Sequence, residues 1–204
     1  MAKVWIIAES ELPPPRTGYD LVLWSTAILP SATQTQTWAG WAETHIIART
    51  PAAETLAFTP HPRDWAATDL AMGNGRVWRF EDRYVAWLDR SALHVPEVGR
   101  ALSMAGVELI VSDTDQRYPS PFLDPLWRTV QANQIYGLSL DTSPRLYWPC
   151  EIDPAEEGFQ ALEREPGGFS ATLDFSALES ARRLFPIHQG LRLDVYQSHG
   201  WWDR

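Results

Sequence analysis

Short apolar runs alternate along this chain with segments whose apolar residues recur at helical spacing, a pattern that predicts strands interleaved with helices. Val4 to Ala8 and Asp20 to Trp24 read as buried strands. Between them, Pro13, Pro14 and Pro15 exclude a helix. Thr33 to Trp41 is polar with tryptophans and reads as a short helix. His45 to Thr50 and Thr55 to Thr59 form a strand pair broken by Pro51. Arg76 to Phe80 and Tyr84 to Leu88 make a hairpin around Glu81-Asp82-Arg83. Pro96 to Ala105 is a helix: Pro96 suits the first turn, Val98, Leu102 and Ala105 share a face, and Gly106 stops it. Val107 to Ser112 is a strand, Asp124 to Asn133 a helix and Ile135 to Leu140 a strand. Phe169 to Leu173 and Ser176 to Phe185 close the series as strand and helix, ended by Pro186. The alternation favours a layered α/β fold, and no linker divides residues 1–204, so one domain is expected.

Composition narrows the partners. A net charge of −9 argues against nucleic acid and anionic membrane. No run approaches the ~20 apolar residues of a membrane span, and the N-terminal apolar run is too short for a signal peptide. The single cysteine, Cys150, excludes an internal disulfide and fits a reducing, cytoplasmic setting. His61, His188 and His199 lack metal-ligand spacing, so neither metal nor cofactor is expected.

Four segments, in order, resemble the carbon–nitrogen hydrolase (nitrilase) superfamily. Asp20-Leu21-Val22-Leu23-Trp24 is similar to the strand that leads into the family's Phe-Pro-Glu motif. Val95-Pro96-Glu97 with Arg100 and Leu102, followed by Ala105-Gly106-Val107-Glu108-Leu109-Ile110, resembles the helix and strand after the nucleophile. Trp127 through Asn133-Gln134-Ile135-Tyr136 resembles a helix-to-strand unit, with Thr129 and Ala132 in place of the family's arginine and glutamate. Phe169 to Asp174, with Leu178, Arg182, Arg183, Pro186, Arg192 and Asp194-Val195-Tyr196, resembles the closing strand and helix. The resemblance implies a four-layer α-β-β-α sandwich, here trimmed of the helix after the first strand, and often dimerised through helices.

The family's reaction needs a cysteine thiolate, a glutamate base and a lysine that stabilises the developing charge. Carried over onto this chain, the glutamate position falls on Thr26, the lysine region on Arg63, and the cysteine position on Arg90, with Asp89 or Ser91 reached by a shift of one. The one lysine, Lys3, and the one cysteine, Cys150, lie elsewhere. The resemblance therefore implies the fold without the reaction: an inactive member acting by association, as a homodimer or with a related subunit. Two alternatives stand beside it. One is a small-molecule binder in which Arg90 or Arg63 holds a small carboxylate. The other is an altered hydrolase of carbon–nitrogen bonds other than peptide bonds.

Asp89, Arg90, Ser91, Asp113 and Asn133 are the expected pocket residues. For Asp89 and Arg90 the alternative is a structural ion pair with each other. Asp113 and Asp115 read either as cation ligands or as loop and capping groups. Ser91 and His94 stand too close in sequence for a hydrolytic triad. Trp24 or Trp87 is expected to fill the vestigial pocket. The apolar faces of the Pro96 and Asp124 helices, with Trp201 and Trp202, are expected to make a dimer contact.

Overall fold

A computed structural model describes residues 1–7, 17–26, 44–50, 55–58, 67–69, 76–80, 82–113, 118–140 and 143–187, with positions 31, 33, 35, 37 and 39 between. Two sheets form its centre. The first has the order β12-β13-β1-β2-β3-β4, built from β1 (Ala2–Ile7), β2 (Leu21–Ser25), β3 (His45–Arg49), β4 (Thr55–Phe58), β12 (Arg164–Glu165) and β13 (Gly168–Leu173). The second has the order β11-β10-β9-β8-β7-β6-β5, built from β5 (Ala67–Asp69), β6 (Arg76–Phe80), β7 (Arg83–Asp89), β8 (Val107–Asp113), β9 (Tyr136–Ser139), β10 (Arg145–Tyr147) and β11 (Phe159–Ala161). Three helices are described over their length: α1 (Pro96–Met104), α2 (Pro125–Asn133) and α3 (Phe175–Leu184). Thr33, Thr35, Thr37 and Ala39 are helical as well.

The centre of each sheet is parallel. β1, β2 and β3 run together in the first sheet, and β7, β8 and β9 in the second. Parallel neighbours require crossovers. α1 carries the chain from β7 to β8, and α2 carries it from β8 to β9. The expected hairpin is antiparallel, with Phe80 opposite Arg83.

Alternation along the strands sorts side chains into layers. Leu21, Leu23, Ile47, Val85, Trp87, Leu109 and Val111 meet in one core between the sheets. Val22, Trp24, Ile46 and Ala48 point to the outer face of the first sheet, where Ala39 of the helical stretch covers them. Ala86, Leu88 and Ile110 point to the outer face of the second sheet and pack under Val98, Leu102, Leu126 and Val130 of α1 and α2. The order is thus α-β-β-α, as the resemblance implies.

α1 and α2 cross closely because Gly99 has no side chain; a Cβ there would lie 2.5 Å from Thr129 Cγ2. Ser103 Oγ donates to the Asn133 carbonyl across this crossing (2.7 Å). The expectation that the apolar faces of these helices form a dimer contact is corrected here. Those faces are buried against their own sheet, as the amphipathic pattern of a core-facing helix requires.

α3 seals the side of the sandwich with Phe175 and Leu178. Arg83 ties it to the second sheet through Glu108 (2.9 Å) and Glu179 (3.0 Å). Burial raises the Glu108 carboxyl, against the pull of Arg83 and Arg182. Strands β5, β10, β11 and β12 have no counterpart in the sequence reading, because runs of two or three residues are too short to display a period. The trimmed helix after β1 falls on residues outside those described, as do Arg63, Asp115, Trp201 and Trp202.

Candidate functional site: the strand ends between the sheets

The C-terminal ends of parallel strands are where open α/β sheets build sites. Here the ends of β2, β3, β7 and β8 converge from both sheets. Ser25 stands opposite Arg49 in the first sheet, and Asp89 opposite Asp113 in the second. All four have the parity of the residues that face the shared core. Ser25 Oγ donates to Asp113 Oδ2 (3.3 Å), Arg49 Nη2 to Asp89 Oδ1 (2.5 Å), and Arg49 Nη1 lies 4.0 Å from Asp113 Oδ1. Arg49 is 1% exposed, against 33% for Asp89 and 17% for Asp113, so a buried cation is clasped by two carboxylates closer to the rim.

Trp87 closes the floor of this cluster, with the Arg49 guanidinium 6.0 Å from its ring centroid. It is fully buried in the shared core, whereas Trp24 faces the outer layer. Of the two expected fillers, Trp87 is the one beside the charges. Burial pushes the Asp113 carboxyl above its ordinary range, while Arg49, the Trp87 indole and Ser25 pull it back. Thr26 is buried just past β2, and its N–H donates to the Arg49 carbonyl (2.9 Å).

The remaining expected residues lie elsewhere. Arg90 follows Asp89 and so points to the opposite face of the sheet. There it pairs with Asp124, the N-cap of α2, and lies 4.9 Å from the Tyr118 ring centroid. The expected Asp89–Arg90 pair does not form, because neighbours on a strand face opposite ways. Ser91 and His94 are exposed on the short turn after β7, and Asn133 is buried at the end of α2, donating to the Thr129 carbonyl (2.9 Å). The residue that sequence reading missed is Arg49. It ends an otherwise apolar strand, His45-Ile46-Ile47-Ala48-Arg49, and a lone charge at that place was the available signal.

Lys3 and Cys150 sit at the far end of the sandwich. Lys3 opens β1, where its N–H donates to Asp20 at the start of β2 (2.7 Å). Cys150 follows β10, which runs antiparallel to β9, so it leaves the sheet at the end where the parallel strands begin. Its N–H donates to Gln131 Oε1 (2.9 Å). Burial and Glu151 raise its thiol, which disfavours the nucleophilic thiolate. Among the described residues no group of three or more His, Cys, Asp or Glu is placed to hold a metal.

No family model matches the sequence, and no curated protein matches it. Solved structures do. A carbon-nitrogen hydrolase from Helicobacter pylori G27 is similar at 10% identity and a TM-score of 0.55, over 88% of this chain and 85% of that one. An amidase from Nesterenkonia sp. is similar at 13% identity and 0.56, over 97% and 95%. Saccharomyces cerevisiae Nit3, of branch 10 of the nitrilase superfamily, is similar at 11% identity and 0.55, over 91% and 94%. The chain has the nitrilase fold, and at these identities the likeness is one of fold.

Proposed function

We propose that this chain is a single-domain, cytoplasmic member of the nitrilase superfamily that has lost the thiol reaction and works by association. The observation that supports this reading is the Arg49–Asp89–Asp113–Ser25 cluster. It fills the meeting point of the strand ends with an arginine held between two carboxylates, while the only thiol and the only lysine lie at the opposite end. An ion cluster of this kind stabilises a wall but supplies neither a thiol nucleophile nor an unopposed cation for a developing oxyanion. The carboxylate-binder reading through Arg90 is weakened, since Arg90 already faces Asp124; through Arg63 it concerns residues outside those described.

The association surface lies on the outward side of the helical layer, since the inward side is spent on the core. Val95, Met104, Phe122 and Leu123 are exposed there, and Phe122 packs edge-on against Trp127. Where exposed apolar groups form one contiguous patch they mark contact surfaces, and the Phe122–Leu123 pair beside Trp127 is where such a patch is proposed.

The test is ammonia release from nitriles, primary amides and N-carbamoyl amino acids, paired with light scattering at micromolar concentration. The expected result is no turnover above background and a mass of a dimer or larger. Turnover near 1 per second, a rate ordinary enzymes reach, abolished by Asp89→Asn or Asp113→Asn, would overturn the reading in favour of an altered carbon–nitrogen hydrolase.

A further inference from the structure

Behind the second sheet, on the face away from the strand-end cluster, lies a second polar group. Ser112 of β8, Ser139 of β9 and Arg145 of β10 stand side by side in register. Ser139 and Arg145 have the parity of Gly137 and Tyr147, and Ser112 that of Ile110, so all three side chains point into the helical layer. The two serines are fully buried and Arg145 is 9% exposed. Among the described residues, neither serine hydroxyl nor Arg145 Nη1 has a hydrogen-bond partner.

Among the described residues, the surroundings are rich in donors and poor in acceptors. The Tyr147 hydroxyl donates to Asp124 Oδ2 (2.8 Å) and also meets the Arg145 guanidinium. Burial and Asp124 raise the Tyr147 hydroxyl, so it remains a neutral donor. Arg90 bonds the same Asp124 carboxylate. Asp124 Oδ1 is engaged as well, accepting from the Leu126 N–H (2.8 Å) at the start of α2. Arg90 thus bonds Asp124 directly, while Arg145 reaches it only through the Tyr147 hydroxyl, beside a helix N-terminus that itself carries positive partial charge. Buried donors left without acceptors cost free energy on the order of 1–3 kcal/mol each, more when charged.

We propose that this nest takes a small monovalent anion, held by Arg145 Nη1 and the hydroxyls of Ser112 and Ser139. A single negative charge there balances the Arg145 guanidinium, which pairs with no carboxylate among the described residues, and gives each idle donor an acceptor. A cation is disfavoured by the two arginines. The inference is independent of how the protein associates.

The test is thermal unfolding of the full chain at fixed ionic strength, with chloride or acetate titrated against gluconate, a much bulkier anion. Saturable stabilisation is expected, reaching roughly 5 °C or more at a hundredfold excess over Kd. Stabilisation by chloride alone identifies a halide site, and stabilisation by acetate in competition with chloride identifies a small carboxylate. Ser112→Ala with Ser139→Ala keeps the charges and the packing, so it folds, and it is expected to weaken the response at least tenfold. Arg145→Gln, compared by the same titration, is expected to abolish it. Equal responses to gluconate and to the smaller anions overturn the proposal, as does an undiminished response in the double serine variant.

Discussion

The two polar clusters of the second sheet are near-opposites, and they are separated by one peptide bond. On the inner face, Asp89 belongs to a group in which two carboxylates hold one arginine, Arg49. On the outer face, Arg90 belongs to a group with one carboxylate, Asp124, which Arg90 bonds directly and Arg145 reaches only through the Tyr147 hydroxyl. The first is open to solvent at its rim, with Asp89 one-third exposed; the second is dry, with Asp124 fully buried. Alternation along β7 makes the separation. The comparison teaches that a charge pair adjacent in sequence, at the end of a strand, is two sites rather than one.

The dry cluster is the more costly to disturb. Arg90→Met leaves the Asp124 carboxylate buried without its cation, and breaking a buried pair in this way costs about 3–5 kcal/mol. Chemical denaturation of the purified variant reads this loss directly. The rim cluster is softened by water. Arg49→Met leaves Asp89 and Asp113 facing each other, yet their partial exposure screens the repulsion, so a smaller loss of roughly 2–3 kcal/mol is expected. A greater loss at Arg49 than at Arg90 would invert the comparison.

A pH titration sharpens the inner cluster further. The folded state raises the Asp113 carboxyl above its unfolded value. Between those two values the native protein binds more protons than the unfolded chain, so this group's contribution to stability falls as pH rises through the raised value. Asp113→Asn is expected to remove that slope, seen as a flatter stability curve on the acid side. A slope unchanged in the variant would show that Asp113 is not the group responsible. The smallest effect is expected at Cys150, which lies outside both clusters: Cys150→Ser should shift stability by less than about 1 kcal/mol.

Much of the fold was legible because its central strands and helices carry clear periods. Val107 to Ser112 and Asp124 to Asn133 emerge within a residue or two of their observed bounds, the latter marked by an Asp-Pro start that becomes an N-cap bonded to the Leu126 N–H. The site was less legible, for two physical reasons. Strand parity at Asp89-Arg90 separates two side chains that adjacency in sequence places together. Proximity in sequence pairs Arg90 with Asp89, whereas the chain supplies Asp124 through the α2 crossover. Arg49 escaped because the strand pairing that carries it to β7 spans two sheets, and no local pattern records that contact.

The central claim, that strand alternation assigns Asp89 to Arg49 and withholds it from Arg90, is tested most directly by two double-mutant cycles. Asp89→Asn is combined with Arg49→Met in one cycle and with Arg90→Met in the other, with unfolding free energies measured for all variants. The account predicts a coupling of about 1 kcal/mol or more for Asp89 with Arg49, and additivity within roughly 0.5 kcal/mol for Asp89 with Arg90. Coupling of Asp89 to Arg90, with none to Arg49, would contradict it.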